Sequence, residues 1–298
     1  MPVSDEGAGG ARIGGATHVV GVIGWPVEHS LSPAIHNAAF AALGLDWSYV
    51  PLPVAPGAMR SAADGLVALG FRGANVTMPH KTESAELAHE LSDDARRLKA
   101  VNTFVVSGDR LLGHNTDAPG FDRFLRHDAG FEPQGRTALL FGAGGAARAV
   151  ALALGLAGAE ALQVAVREPG RAADLIETVE GTGMRVEVVA FDAVEGVHAD
   201  LVVNATPLGA DGRTRPPLPA LGPGVLAVDL LYRPAQTPLQ LAARDAGSET
   251  FGGLGLLLHQ AALSFELWTG TPAPLDVMSA AALGVLAEDL PSTLRLTR

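Results

Sequence analysis

The sequence predicts an α/β protein of two domains, an α/β domain followed by a doubly wound one. Strand and helix patterns alternate in two sets, and the second set begins near residue 136. Strands that alternate with helices predict parallel sheets with right-handed crossovers. With 298 residues, the chain is also longer than most single hydrophobic cores. A glycine-rich segment lies between a strand and a helix pattern at the start of the second set, as is typical of doubly wound sheets.

The first set of elements occupies residues 18–115. We expect its first helix to be capped by Ser32 and to stop at Gly44. A hairpin over 102–115 is expected to turn at residues 107–109. The remaining elements are strands over 18–24, 47–54 and 73–78 and helices over 32–44, 57–70 and 81–91.

The second set of elements contains five apolar runs of strand length, separated by stretches long enough for helices. Two apolar helical stretches follow at the C-terminal end, over 255–270 and 273–290, and we expect them to return to the first domain. The five predicted strands cover residues 137–141, 162–166, 185–191, 200–205 and 225–230.

These elements predict the domain boundaries. The first domain comprises residues 18–117 and 256–298, and the second comprises residues 118–255. Residues 1–17 are rich in glycine and alanine and lack the basic start and apolar centre of a signal peptide, so we expect a disordered tail. The longest apolar runs are too short to span a bilayer, which argues against a membrane function.

Charge and composition exclude several classes of function. Acidic residues outnumber basic ones by 32 to 21, and the net charge of −11 argues against a nucleic-acid partner. The absence of cysteine excludes disulfides and thiolate chemistry and fits a cytoplasmic location. None of the nine histidines falls in a ligand spacing such as H-E-x-x-H, so no metal is expected. We expect a small-molecule substrate and a monomer or homodimer.

The segment "GAGGAARA" predicts a Rossmann-type dinucleotide site. Gly142 permits a tight turn, Gly144 lets the backbone approach a pyrophosphate, and Ala147 allows close packing of helix on strand. The amino end of the helix supplies N–H groups and a positive dipole end to the phosphates. The residues expected to bind the cofactor here are Gly142, Ala143, Gly144, Gly145, Ala146 and Ala147.

The end of the following strand favours NADP over NAD. Arg167 and Arg171 are placed to bind a 2′-phosphate, whereas an NAD enzyme usually carries an acidic residue there. Glu168 lies between the two arginines and would repel the phosphate, so NAD stays open as an alternative. A surface loop with scattered charges is the structural alternative for the whole segment.

Polar clusters at the ends of predicted strands and loops suggest a second ligand. They read "GWPVEHSLSPAIHN", "NVTMPHK", "AVNT" and "GHNTDAPG". Ligands of open α/β sheets collect at the carboxyl ends of the strands. Each cluster also has a purely structural interpretation: Ser30 or Ser32 as a helix cap, Asn102 in a turn, Asp117 as the cap of the next helix, and Thr77 as a cap before a solvated Lys81.

Taken together, these motifs resemble the shikimate dehydrogenase family. The four polar clusters and "GAGGAARA" are joined by "NATPLG", "DLLYRPAQTPL" and "GGLGLLLHQAALSFELWTG", and the matching pieces run from residue 24 to about residue 270. The resemblance implies NADP-dependent interconversion of 3-dehydroshikimate and shikimate, a step of aromatic amino-acid biosynthesis through chorismate. It also implies an N-terminal α/β substrate domain and a Rossmann-type NADP-binding domain.

The resemblance also implies a role for individual residues. Lys81 and Asp117 would form the catalytic pair. Ser30 and Ser32, joined by Tyr232, would hold the substrate carboxylate. Asn75, Thr77, Asn102 and Gln260 would bind ring hydroxyls and the carboxylate, while Arg167 would lie over the adenine ribose and Asn204, Thr206 and Gly253 near the nicotinamide.

A lysine suits the implied reaction. Hydride addition to a carbonyl carbon builds negative charge on the oxygen, and a neighbouring ammonium stabilises that charge and donates a proton. General acid–base assistance of this kind contributes about 10²–10⁴-fold to a rate.

Two alternative functions stay open at this point. One is a dehydrogenase of the same fold that acts on quinate or another close analogue with NAD, and Glu168 is its main support. The other is a non-catalytic nucleotide-binding regulator, since a fold alone does not establish activity. That alternative predicts the loss of Lys81 or Asp117, and both are present.

Overall fold

The computed structural model describes residues 13–288, so most of the predicted tail over 1–17 lies outside the described residues. The chain forms two compact units. The first comprises residues 13–92, 101–114 and 261–288, and the second comprises residues 93–100 and 115–260. Within the described residues no helix is long and apolar enough to cross a membrane.

Helices and strands alternate through both units. The α-helices within residues 13–288 are α1 Ser32–Ala42, α2 Met59–Ala68, α3 Lys81–Leu87, α4 Asp93–Leu98, α5 Asp117–His127, α6 Gly145–Leu156, α7 Ala173–Thr178, α8 Pro238–Asp245, α9 Leu254–Thr269 and α10 Leu275–Glu288. The strands are β1 His18–Gly24, β2 Trp47–Pro53, β3 Gly73–Val76, β4 Glu90–Leu91, β5 Thr103–Ser107, β6 Arg110–His114, β7 Thr137–Phe141, β8 Ala161–Val166, β9 Arg185–Ala190, β10 Leu201–Asn204, β11 Leu226–Asp229 and β12 Glu249–Phe251.

The sheet of the first unit is mixed, with the strand order β2-β1-β3-β5-β6-β4. The apolar strands β1, β2 and β3 pair in parallel, and β3 then pairs with the antiparallel hairpin β5–β6. The hairpin turns at Gly108, whose φ of 63° suits glycine. The predicted hairpin is therefore confirmed. Helix α10 packs against α1, so the C-terminal helices do return to the first unit.

The sheet of the second unit is parallel throughout, with the strand order β12-β11-β10-β7-β8-β9. Strand β7 lies at the point where the strand order reverses, between β10 and β8. Its residues Leu139, Leu140 and Phe141 are fully buried, as expected for a central strand covered on both faces. Ligands of doubly wound sheets bind at this reversal point, beyond the carboxyl ends of the strands.

The predicted cap of α1, Ser32, is wrong, and the two caps weighed as structural alternatives, Thr77 and Asp117, are not observed either. Helix α1 begins at Ser32 after Leu31, and no side chain caps it. Helix α3 begins at Lys81 after His80, again without a side-chain cap, so Thr77 has no capping role. Helix α5 begins at Asp117, whose backbone N–H donates to the side chain of Asn115 at 3.0 Å. The Ser32 and Thr77 hydroxyls are thus not engaged as caps.

The helix expected over 81–91 is shorter than predicted. It ends at Leu87 because Ala88 adopts an extended backbone, with φ −70° and ψ 137°. Glu90 and Leu91 then form β4, which pairs with β6. Residues 90 and 91 therefore form a strand in spite of the local helical pattern. Pairing with β6 satisfies the backbone groups that a longer helix would have satisfied internally.

Candidate active site

The glycine-rich loop after β7 has the backbone geometry expected of a phosphate-binding turn. Gly142 has φ 103°, and an added Cβ would lie only 3.2 Å from Thr206 Cγ2 and 3.3 Å from the Ala205 carbonyl. Gly144 precedes α6, and a Cβ there would meet nothing within 4 Å. Ala147 is fully buried between helix and sheet. The loop therefore leaves its backbone open at the amino end of α6, where anions bind.

A cavity of about 730 Å³ lies beside this loop. It is large enough for a nucleotide, since small-molecule pockets typically measure about 300–1,000 Å³. Six of the residues expected to bind the cofactor line it, namely Gly142, Ala143, Gly144, Arg167, Arg171 and Thr206, together with Val166, Glu168, Asp174, Phe191 and others. The residues present fit a dinucleotide.

The two arginines in this cavity are held differently. The Arg167 guanidinium lies over the ring of Phe191, 5.4 Å from its centroid, which is a cation–π geometry. Arg171 Nε lies 3.3 Å from a carboxylate oxygen of Glu168, and both side chains are largely exposed. Phe191 escaped sequence reasoning because it follows β9, more than twenty residues after Arg167.

Asn204 shapes the loop that follows β10. Its Oδ1 accepts hydrogen bonds from the backbone N–H and the hydroxyl of Thr206, at 3.0 and 2.7 Å. Its Nδ2 donates to the Leu208 carbonyl at 2.9 Å and to Asp229 Oδ1 at 3.1 Å. The side chain is fully buried. Asn204 thus holds the segment that carries Thr206 to the cavity.

Asp229 is a buried carboxylate that sequence reasoning missed. It accepts hydrogen bonds from Asn204, from the Leu231 N–H at 3.1 Å and from the Thr237 hydroxyl at 2.6 Å. Burial raises the pKa of this carboxyl, and the hydrogen bonds from Thr237, Leu231 and Asn204 oppose that shift. Thr237 also caps α8 in a capping box with Gln240. Asp229 therefore ties together the loops after β10 and β11.

Three further predicted residues lie on segments that follow β11. Gly253 tolerates no side chain, because a Cβ there would overlap the Leu230 carbonyl oxygen. Gln260, on α9, donates from Nε2 to the Leu257 carbonyl at 2.8 Å. Tyr232 is half-buried beneath the guanidinium of Arg233, which lies 5.8 Å from its ring centroid.

In the first unit, the predicted substrate residues lie at the start of α1, at the carboxyl end of β3 and just before β5. Ser30 is half-buried, and its hydroxyl accepts from the Ser32 N–H at 3.3 Å. Ser32 is only 7% exposed. Thr77 and Lys81 are half-buried, and the Lys81 carbonyl accepts from the Val101 N–H at 2.8 Å. Lys81 is therefore not the fully solvated residue of the structural interpretation.

Asn75 and Asn102 are joined by buried hydrogen bonds. Asn75 Nδ2 donates to the Asn102 carbonyl at 3.2 Å and also contacts the hydroxyls of Thr103 and Ser264, each at 3.0 Å. The Thr103 hydroxyl donates to Asn102 Oδ1 at 3.0 Å. Tyr49 donates its hydroxyl proton to Asn75 Oδ1 at 2.7 Å. Tyr49 and Ser264 were assigned no role in the site from the sequence.

No metal centre accompanies these groups in the described part of the chain. Across residues 13–288 no three histidine, cysteine, aspartate or glutamate side chains lie close enough to hold a metal ion. The groups available for chemistry at the predicted positions are thus hydroxyls, amides, a lysine and a carboxylate, together with a nucleotide cavity.

Comparison with known proteins then decides the family. Residues 22–104 match the family model of the shikimate dehydrogenase substrate binding domain, and residues 253–283 match that of the shikimate 5'-dehydrogenase C-terminal domain. The shikimate dehydrogenase (NADP(+)) of Rubrobacter xylanophilus is 48% identical over 281 residues, which cover 92% of this chain and 98% of that protein. The chain belongs to the shikimate dehydrogenase family.

Solved structures of this family agree with the fold. Shikimate 5-dehydrogenase from Thermus thermophilus, in complex with NADP(H) and shikimate, is 40% identical with a TM-score of 0.80. The match covers 90% of this chain and 99% of that one. Quinate dehydrogenase from Corynebacterium glutamicum, in complex with NAD, is 33% identical with a TM-score of 0.83 and the same coverage. The predicted fold class is therefore confirmed.

Proposed function

We propose that this protein catalyses the reversible, NADPH-dependent reduction of 3-dehydroshikimate to shikimate in the cytoplasm, as a step towards chorismate and the aromatic amino acids. The observation that carries the proposal is a nucleotide cavity lined by Arg167 and Arg171 in a chain that matches curated NADP-dependent family members along nine-tenths of its length. The partners we propose are small molecules alone, with the protein acting as a monomer or homodimer.

The nucleotide would lie along the cavity of the second unit. Gly142, Ala143 and Gly144 would hold the pyrophosphate at the amino end of α6, whose first turn is formed by Gly145 to Ala147. Arg167 and Arg171 would bind the 2′-phosphate. Asn204, Thr206 and Gly253 would define the nicotinamide end. When bound, NADPH supplies the hydride.

The substrate would be held by the polar side chains described above. Ser30, Ser32 and Tyr232 would hold its carboxylate, and Asn75, Thr77, Asn102 and Gln260 would contact its hydroxyls and carboxylate. Low exposure of Ser32 and Asn102 supports this role, because a buried hydroxyl or amide binds a ligand with little competition from water.

Lys81 would be the proton donor of the reduction, with Asp117 as the second member of the catalytic pair. As the carbonyl carbon is reduced, negative charge grows on its oxygen, and the Lys81 ammonium would stabilise that charge and donate the proton. In the reverse direction the neutral amine would accept the proton of the shikimate hydroxyl. Lys81 occupies the first position of α3, and the backbone bond from Val101 fixes that position.

Quinate dehydrogenation with NAD is a second candidate because of one observation. Glu168 lines the cavity beside Arg167 and pairs with Arg171 at 3.3 Å. This pairing weakens the positive charge available to a 2′-phosphate, and a carboxylate at this position suits the ribose hydroxyls of NAD.

A two-by-two initial-rate assay tests the proposal. Shikimate or quinate is offered with NADP⁺ or NAD⁺, and reduced nicotinamide is followed by absorbance. Turnover that is fastest with shikimate and NADP⁺ supports the first candidate, while preference for quinate and NAD⁺ supports the second. The Lys81→Met variant should lose about 10²–10⁴-fold in rate while still binding shikimate. Absence of turnover in all four mixtures, with folded protein that binds nucleotide, would contradict both candidates.

A further inference from the structure

Tyr49 is held on three sides within the first unit. The side chain of Asn37 accepts from the Tyr49 N–H at 2.8 Å and donates to its carbonyl at 2.9 Å. The ring stacks on His36, with centroids 4.4 Å apart and planes inclined by 1°. Only 2% of the residue is exposed. Helix α1 therefore fixes both the strand position and the ring orientation of Tyr49.

The Tyr49 hydroxyl faces one of the proposed substrate residues. It donates to Asn75 Oδ1 at 2.7 Å. The orientation of the Asn75 amide follows from its other contact, because the Asn102 carbonyl can only accept and so requires the Nδ2 end. The Oδ1 end must then point at Tyr49.

The network continues from Asn75 to Asn102. The Ser264 and Thr103 hydroxyls lie 2.8 Å apart. Thr103 uses its only proton to donate to Asn102 Oδ1, so Ser264 is the donor in the hydrogen bond between Ser264 and Thr103. Both hydroxyls remain able to accept from Asn75 Nδ2. The two N–H groups of Asn75 are thus used inside the protein, which leaves an Oδ1 lone pair as its only contribution to a ligand.

We infer that Tyr49 is a positioning residue for substrate binding: its hydroxyl fixes the Oδ1 end of Asn75, and Asn75 in turn holds the Asn102 carbonyl and the Thr103 hydroxyl that orients the Asn102 side chain. The inference rests on the proposed function, in which Asn75 and Asn102 contact shikimate. The main contribution of Asn75 to the site is then to hold Asn102 and Thr103 in place through its Nδ2 hydrogen bonds. Without the hydroxyl, the buried Oδ1 of Asn75 loses its donor, and the amide is held through its Nδ2 end alone, so Asn75 fixes Thr103 and Asn102 less firmly.

The Tyr49→Phe variant tests this inference because it keeps the ring, its stacking on His36 and the backbone bonds to Asn37. We expect the dissociation constant for shikimate, measured by isothermal titration calorimetry, to rise about tenfold. The dissociation constant for NADP⁺ should stay within about twofold of the wild-type value, and the KM for shikimate should rise more than kcat falls. A weaker change of the same pattern is expected for Ser264→Ala.

Ser84→Ala is the matched control, because the Ser84 hydroxyl is fully buried in the same unit and has no hydrogen-bond partner. Its affinity for shikimate should equal that of the wild type. In a double-mutant cycle, Tyr49→Phe should add little to Asn75→Ala, because the hydroxyl acts through Asn75.

Three results would overturn the inference. The first is wild-type affinity for shikimate in both Tyr49→Phe and Ser264→Ala. The second is an equal loss of affinity for NADP⁺ and shikimate in both variants, which would indicate general destabilisation. The third concerns the substrate. If the wild type binds quinate and not shikimate, the proposed function is contradicted. The inference about Tyr49 is then contradicted as well if Tyr49→Phe binds quinate as tightly as the wild type does.

Discussion

Asn204 donates a hydrogen bond to the fully buried carboxylate of Asp229, across a distance of 3.1 Å. The same carboxylate accepts from Thr237 and from the Leu231 backbone. One buried group therefore organises the loops after β10 and β11, and through Asn204 it sets the position of Thr206 in the nucleotide cavity.

We predict that Asp229→Asn weakens nucleotide binding about tenfold or more, because the amide presents an N–H₂ group where three donors require acceptors. A buried donor or acceptor that loses its partner costs about 1–3 kcal/mol. Calorimetric titration with NADP⁺ and with shikimate checks this, since the effect should be confined to NADP⁺. Asp245→Asn, the same change at an exposed position of α8, is the control. Equal affinity in Asp229→Asn and the control would contradict the prediction.

Cofactor preference should respond to Glu168. Its carboxylate pairs with Arg171 and lies in the cavity that we propose binds the 2′-phosphate. Glu168→Gln removes the charge and keeps the shape, so NADP⁺ should bind about fivefold tighter, in line with the ~1 kcal/mol typical of exposed charge pairs. The gain should shrink at 1 M salt, where the Debye length is about 3 Å.

The measurement for Glu168 is the ratio of kcat/KM for NADP⁺ to that for NAD⁺, in the wild type and the variant at two salt concentrations. Glu187→Gln offers a matched control, since Glu187 is an exposed carboxylate of the same unit outside this cavity. A ratio that falls in Glu168→Gln would show that the carboxylate does not oppose the 2′-phosphate.

Much of the fold could be predicted from the sequence because its signals are local. Strands β1 and β7 have the predicted bounds, since each is a short apolar run with glycine at or just after its end. The end of α3 was missed because pairing of β4 with β6 depends on a segment more than twenty residues away. Local helical preference carries no information about that partner.

The same limit applies to the candidate site. Gly142 was predictable because a positive φ is a property of one residue and its neighbours. Tyr49 and Asp229 were not, because their partners Asn75 and Asn204 lie 26 and 25 positions away in the chain. From the sequence, a tyrosine in an apolar strand pattern is interpreted as a core residue. Only the folded structure shows that the Tyr49 hydroxyl contacts Asn75.

Gly253→Ala should impair the loop between β12 and α9. A Cβ at this position would overlap the Leu230 carbonyl oxygen, which is backbone and cannot move aside as a flexible side chain would. We expect a loss of about 1–3 kcal/mol in the free energy of unfolding from this overpacking, together with weaker binding of NADP⁺.

Urea unfolding and NADP⁺ titration measure the two effects of Gly253→Ala. Gly144→Ala is the control for the stability measurement alone, since a Cβ there meets no protein atom within 4 Å and its φ of −73° suits any residue, whereas its backbone faces the nucleotide cavity. That variant should keep the stability of the wild type. Wild-type stability in Gly253→Ala would show that the loop adapts to the extra methyl group.

His36 should make the protein less stable in acid. Burial lowers the pKa of this imidazole from 6.5 to about 3, and neither ring nitrogen has a hydrogen-bond partner. Between pH 6.5 and 3 the unfolded chain therefore binds a proton that the folded protein excludes. Stability is complete above pH 6.5 and falls as the pH drops, by about 2 kcal/mol at pH 5 if each pH unit is worth about 1.4 kcal/mol.

The His36→Leu variant separates this titration from packing. It removes the ionisable group from the cluster formed with Phe40, Tyr49 and Trp268. At about pH 8 the difference in unfolding free energy between variant and wild type reports packing alone, whereas at about pH 5 it also contains the proton. We expect the variant to gain about 2 kcal/mol relative to the wild type between these two values. If the unfolding free energies of the two proteins instead change in parallel with pH, the pKa of His36 is the same in the folded and unfolded states, and the prediction is contradicted.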